Sequence, residues 1–226
     1  MDRSANIISS WNSNAKNWID TIENSELESR VLATNDAIIN AVLNYRLSRV
    51  LDLGCGEGWL ARTLRNEGLS VYGTDAVKTL IEYAQARDGN YYFQYSYQEI
   101  YNGEHKLPCP FDAVVINFAL IDKQDTESLL AYLPSILVNE GLLFVQTLHP
   151  LAIAATGEYI SGWKEGSWNG MKRDFEKPYQ WYFRTMSDWI SSFHASGFTC
   201  IEMKEPLHPE TGKPLSVIFI LRTHKR

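Results

Sequence analysis

The sequence predicts an α/β protein built on a seven-stranded, mostly parallel sheet with helices on both faces. Short runs rich in Val, Ile and Leu alternate with amphipathic segments of helical length, and the first run ends in a glycine-rich turn that opens a helix. No linker and no repeat of fixed period interrupts the alternation, so one continuous α/β unit accounts for all 226 residues.

The elements follow in order. Ser25 to Glu28 has the S-x-x-E form of a capping box, and Leu27, Val31, Ile38 and Val42 recur at helical spacing, predicting a long helix up to about Tyr45. Ahead of it, Trp11 and Trp18 stand seven apart, as on one face of a short helix. Residues 49–53 read as a buried strand, 58–67 as a helix closed by Gly68, 70–74 as a second strand and 77–86 as a helix. Residues 91–95 and 111–117 are the third and fourth strands, the latter with the Val and Ile content of a strand covered on both faces. A helix within 125–138 must kink or restart at Pro134. After the Asn139-Glu140-Gly141 turn come a fifth strand at 142–147, a helix at 185–196, and strands at 198–204 and 216–222.

Composition bounds the function. A hydrophobic fraction of 45% supports a sizeable core, and a net charge of -6 has the wrong sign for general binding to a phosphate backbone. Cys55, Cys109 and Cys200 lack paired spacing, which argues against a disulfide framework or structural zinc, and no metal is expected. No apolar run approaches a membrane span, and nothing at the amino terminus reads as a leader, so the expectation is a cytoplasmic protein.

The chemistry concentrates where Leu51-Asp52-Leu53-Gly54-Cys55-Gly56-Glu57-Gly58 runs from the first strand into a helix. Glycines at alternate positions let the backbone turn tightly and approach a ligand, and the helix start offers free amides. Trp59 stands where the dinucleotide fingerprint needs its third glycine, which disfavours a nicotinamide enzyme. Asp75 follows the second strand, on the same carboxyl edge, where a carboxylate can accept from two ribose hydroxyls.

This block with Asp75 resembles the class I S-adenosylmethionine-dependent methyltransferases, over about residues 31–147, with the strand pattern continuing to the end. The resemblance implies a Rossmann-like fold with an amino-terminal helical cap (1–46), a cofactor-binding core (47–148), an aromatic insertion after the fifth strand (149–184) and a carboxy-terminal helix and strands (185–226). It implies that Gly54, Cys55, Gly56 and Gly58 line the methionine part of S-adenosylmethionine, that Asp52 orders the loop, that Asp75 holds the ribose and that Ala76 flanks the adenine. Where family members often carry Gly-Asp-Ala, this chain has Tyr95-Ser96-Tyr97, so Ser96 offers a hydroxyl in place of a carboxylate. Asn117 and Phe118 match the position beside the methionine amine and the reacting methyl.

No Asn-Pro-Pro-Tyr or Asp-Pro-Pro-Tyr follows the fourth strand, which disfavours exocyclic base amines and glutamine amides as acceptors. The insertion carries Tyr159, Trp163, Trp168, Phe175, Tyr179, Trp181, Tyr182 and Phe183. These rings read either as a lid over an aromatic or apolar acceptor or as packing or a contact between proteins. Trp11, Arg30, Trp163, Trp181, Tyr182 and Arg184 are the candidate acceptor-binding residues. His149, just past the fifth strand, is the candidate base for a hydroxyl acceptor. The expected function is methyl transfer to a small molecule by in-line displacement. The alternative is a non-catalytic S-adenosylmethionine-binding protein that uses the insertion as a partner interface, and the oligomeric state is open.

Overall fold

The computed structural model describes residues 3–154 and 157–224. Its main sheet has the order β3-β2-β1-β4-β5-β9-β8, formed by β1 (Arg49–Leu53), β2 (Ser70–Asp75), β3 (Tyr92–Gln94), β4 (Phe111–Asn117), β5 (Leu137–Leu148), β8 (Phe198–Lys204) and β9 (Ser216–Thr223). Strand β9 runs antiparallel to both neighbours, and the other named pairings are parallel. Near-continuous apolar strands give the sheet two buried faces. Leu51, Leu53, Val114, Ile116, Leu143 and Val145 pack on one side, and Val50, Val115, Phe144, Ile218 and Ile220 on the other. The first side is covered by α6 (Gln124–Tyr132) and α8 (Met186–Ala195), the second by α2 (Asn35–Leu43), α3 (Trp59–Asn66) and α4 (Lys78–Asp88).

Three local expectations change. The amino-terminal helix is α1 (Arg3–Glu23), 21 residues long rather than a short helix. Ser25 takes a φ of 52° in the turn after α1, not the extended conformation of an N-cap, so the predicted capping box does not form; the chain enters α2 through a π-helical turn at Arg30–Thr34. The fifth strand starts earlier than expected. Phe111 pairs with Leu137 and Ala113 with Leu142, so the Asn139-Glu140-Gly141 segment is an irregularity inside β5 rather than a turn before it. Pro134 behaves as its missing amide dictates: α6 stops at Tyr132 and a 3-10 turn spans Leu133–Ser135.

The insertion folds into α7 (Pro150–Ala154) and a small hairpin of β6 (Gly162–Lys164) and β7 (Trp181–Phe183). Its aromatic middle lies along α1. Trp168 Nε1 donates to Ser10 Oγ at 3.0 Å and Trp11 Nε1 to the Tyr179 hydroxyl at 3.1 Å, while the Trp168 ring centroid is 4.8 Å from that of Trp11. Asn14 donates to the Glu176 carbonyl at 2.7 Å and accepts the Glu176 amide at 2.8 Å, and Arg173 bridges Asp20 and Glu26. Trp168 and Tyr179 of the insertion thereby pack against a helix whose own apolar stripe needs a partner.

Candidate active site

The sheet order puts the ends of β2, β1 and β4 side by side on the carboxyl edge, where open α/β sheets place their ligand crevices. A cavity follows that edge, from Asp75 and Val77 after β2, across Gly54 to Glu57 after β1, to Phe118 and Asp122 after β4. Ser4, Ile7, Ile8, Trp11 and Trp18 of α1 roof it.

The glycine loop is pinned from below. The Gly54 and Cys55 amides donate to the Thr74 carbonyl at 2.8 and 2.9 Å, and the two Asp75 carboxyl oxygens accept the Gly56 and Val77 amides at 2.9 Å each. Gly54 has a φ of 76°, and a Cβ there would lie 2.4 Å from Ala119 Cβ and 2.8 Å from the Tyr97 hydroxyl. Only glycine fits both the backbone and the space. Tyr97 donates to the Ala119 carbonyl at 3.0 Å, tying β4's exit to the loop.

Charge in the cavity is unbalanced. Among the described lining residues there are five carboxyl groups, on Asp52, Glu57, Asp75, Asp122 and Asp125, against a single Lys or Arg, Arg30. Burial pushes Asp52 up to about 7 and Asp75 up to about 6, and neighbouring acids add to the shift. Burial likewise raises Glu57 and Asp122 and lowers Arg30. Asp52 Oδ2 and Asn117 Oδ1 are buried without a hydrogen-bond partner. Arg30 lies over the rings of Trp18, Phe118 and Trp59, at 5.0, 5.7 and 5.9 Å from the centroids, and faces Glu57.

Of the residues singled out in the sequence, Asp52, Gly54, Cys55, Gly56, Asp75, Ala76, Tyr97, Asn117 and Phe118 line this cavity, as do Trp11 and Arg30. Gly58 and Ser96 do not. Gly58 closes on the Tyr92 ring, where a Cβ would meet it at 2.7 Å, and Ser96 caps α5 (Tyr97–Tyr101) in a reciprocal box with Glu99. The adenine contact expected of the Ser96 hydroxyl is therefore spent on its own helix.

His149 is also corrected. It is wholly buried, its Nδ1 accepts the Leu151 amide at 3.1 Å, and its Nε2 is left to donate to Glu205 Oε1 at 2.8 Å. With both nitrogens engaged outside the cavity lining, the ring has none free to take a proton from an acceptor. Trp163, Trp181, Tyr182 and Arg184 stand behind the cavity rather than in it. Their link to it is indirect: the Tyr182 amide donates to the Ile121 carbonyl at 2.8 Å, and Arg184 donates to the carbonyls of Asp122 and Lys123 at 3.3 and 3.1 Å. The insertion thus holds the loop that carries Asp122.

Sequence reading missed Ser4, Ile7 and Ile8, although Ile7, Ile8, Trp11, Ala15 and Trp18 form a helical stripe. It also missed Asp122 and Asp125, which no motif marks.

With this geometry in place, the comparisons with known proteins become specific. A methyltransferase domain family matches residues 26–202. The chain belongs to that family. It is 31% identical over 150 residues to an uncharacterized methyltransferase of Mycobacterium bovis, covering 65% of this chain and 75% of that one. It is 32% identical over 104 residues to a ubiquinone biosynthesis O-methyltransferase of Xylella fastidiosa, where the match spans 45% of this chain and 42% of the relative. In fold it is similar to the 1,6-didemethyltoxoflavin-N1-methyltransferase of Burkholderia thailandensis, solved with S-adenosylhomocysteine bound, with a TM-score of 0.69 at 17% identity over 98% of this chain and 88% of that one. The family match begins at residue 26, so the roof helix α1 lies outside it. None of the described helices of this methyltransferase is long and apolar enough to cross a membrane.

Proposed function

We propose that this methyltransferase moves a methyl group from S-adenosylmethionine to a small molecule held at the Asp122 end of the cavity. The observation that carries the reading is the continuity of one cavity from Asp75 past the glycine loop to Phe118 and Asp122 under α1. Its residues fit an adenosyl cofactor. Gly54 and Gly56 leave a cradle that side chains would fill or strain, Asp75 offers a carboxylate to paired ribose hydroxyls, and the orphaned Asp52 Oδ2 awaits a donor such as an ammonium. Arg30 supplies the positive charge for the methionine carboxylate, with Trp18 and Trp59 stacking on its guanidinium.

When bound, the sulfonium supplies an electrophilic methyl group. The chain's own part is to align and to exclude water. Phe118 and Ala119 fix the boundary between the two halves of the cavity, while Ile7, Ile8 and Trp11 keep solvent off it. The rival reading, a binding module with the insertion as partner interface, is weakened because Trp168 and Tyr179 of the insertion pack on Trp11 and Ser10 of α1. Calorimetry with S-adenosylhomocysteine, followed by assay of its formation from S-adenosylmethionine across a panel of small aromatic alcohols, phenols and amines, tests the proposal. One cofactor per chain and acceptor-dependent turnover are expected. Absence of cofactor binding would overturn it, and binding without turnover on any acceptor would return the choice to the binding module.

A further inference from the structure

We infer that the far end of the cavity is a subsite for an apolar amine, whose N–H groups are received by Asp122. The inference rests on the proposed function and adds to it the chemical class of the acceptor. The walls at this end are apolar: Ile7, Ile8 and Trp11 from α1 face Phe118, Ala119 and Ile121 from the loop after β4. The polar groups set into them are acidic. Asp125 is nine-tenths buried and already satisfied, taking hydrogen bonds from Ser4 Oγ and, at 3.1 Å, from the Tyr101 hydroxyl. Asp122 is different. Its Oδ1 accepts the Asp125 amide at 2.9 Å and the Gln124 amide also donates to the carboxyl group; among the described residues no side-chain donor is bonded to it, so it keeps acceptor capacity on the cavity side.

Two further observations point to a donor-bearing ligand rather than to a bare acidic cluster. Of the two buried oxygens without partners in the same cavity, the one on Asp52, which is 1% exposed, answers to the cofactor's ammonium, and the one on Asn117, at the end of β4, remains for another donor. Every unmet polar atom named along the wall is thus an acceptor, and acceptors are satisfied by N–H or O–H groups. The cations are committed elsewhere. Arg30 sits at the loop beside Glu57, and Arg184, behind the cavity, gives its N–H groups to the carbonyls of Asp122 and Lys123 between the rings of Tyr182 and Trp189. An anionic acceptor would meet Asp122 and Asp125 with no free cation among the described lining residues, so acids and phosphates are excluded by repulsion. A metal ion does not answer to this site either: among the described residues no group of three or more His, Cys, Asp or Glu is arranged to hold one. An amine on an apolar body meets both requirements, the body against the rings and Ile side chains and the head on the carboxylate.

The test uses the full chain saturated with S-adenosylhomocysteine and three probes of matched size, 2-phenylethylamine, 2-phenylethanol and phenylacetate, with binding read by calorimetry near neutral pH. The amine is expected to bind about tenfold tighter than the alcohol, with phenylacetate weakest. In Asp122→Asn the amine's advantage should vanish. Asparagine keeps an acceptor for the α6 amides, so cofactor affinity and the thermal transition, measured in parallel, should be retained. Phenylacetate binding as well as the amine, an amine that fails to bind at millimolar concentration, or an amine preference that survives in Asp122→Asn would each overturn the inference. The wild-type ranking decides by itself should the variant fold poorly. Failure of S-adenosylhomocysteine to bind in the first step would instead count against the proposed function, so the two failures are told apart.

Discussion

The cofactor end of the cavity and its roof are held by very different kinds of bond. At the cofactor end Gly56 meets Asp75 only 19 residues away, and the loop amides fold back on the next strand. At the roof Trp11 meets Tyr179 across 168 residues, and Asn14 meets Glu176 across 162. Bonds of the first kind form between neighbouring strand ends within one short stretch of the chain. The roof exists only because two distant segments, each too apolar to stand alone in water, find each other. Under the proposed function the difference separates affinity for the cofactor, assigned to the first, from closure over the acceptor, assigned to the second.

The largest effect should come from Asp75→Ala. It removes the carboxylate that pins Gly56 and Val77 and that, in the proposed function, receives the ribose, worth about 1.5 kcal/mol for each charge-assisted bond. S-adenosylhomocysteine affinity should fall roughly 10²-fold by calorimetry while α1 stays protected from hydrogen exchange. Wild-type affinity should also decline as pH drops through about 6, since the protonated Asp75 is a poorer acceptor. A pH-independent affinity would detach Asp75 from the cofactor.

Asp52 provides a second test at the same end, through stability. Its folded value is pushed up to about 7, above the ordinary 3.8, so the folded chain holds a proton that the unfolded chain releases. Stability from this group is therefore greatest at low pH and is lost as pH rises from about 4 to about 7. Asp52→Asn should flatten that part of the pH profile in urea titrations, raising stability at neutral pH relative to wild type by about 1 kcal/mol or more. A profile with unchanged slope would mean that Asp52 is charged and solvated in the free protein.

Trp168→Ala acts on the roof alone. Losing its contacts with Trp11, Phe175 and Tyr179 and the bond to Ser10 should cost about 2 kcal/mol and speed exchange of the α1 amides. Cofactor affinity should change less than about threefold. A loss as large as that of Asp75→Ala would erase the distinction between the two regions.

The smallest effect is expected of His149→Asn. With its ring nitrogens bound to Leu151 and Glu205, the change should leave turnover on the best acceptor of the panel within about twofold and cost only about 1 kcal/mol of stability. A loss near 10²-fold, relieved at high pH, would reinstate the histidine as a base.

What could be read in advance follows the same divide. The strand positions, the glycine loop and Asp75 were legible because apolar period, turn chemistry and short spacing act along the chain. The Ser96 hydroxyl was misplaced because a serine three residues before a glutamate is itself a capping signal, and the helix claimed it. His149 was placed at the correct edge of the sheet, but a position along the chain does not say which way a ring points or who binds its nitrogens.

The sequence by itself determined the α/β sheet, its strand succession and the loop that ends β1, since each depends on residues within a turn or two of one another. Only the tertiary structure decided which residues of α1 roof the cavity, that Trp168 and Tyr179 of the aromatic insertion brace α1 outside the cavity lining, and that Asp122 faces inward. Those outcomes depend on which distant apolar faces bury each other and on which buried polar groups find partners, and pairings of that kind leave no fixed spacing in the chain.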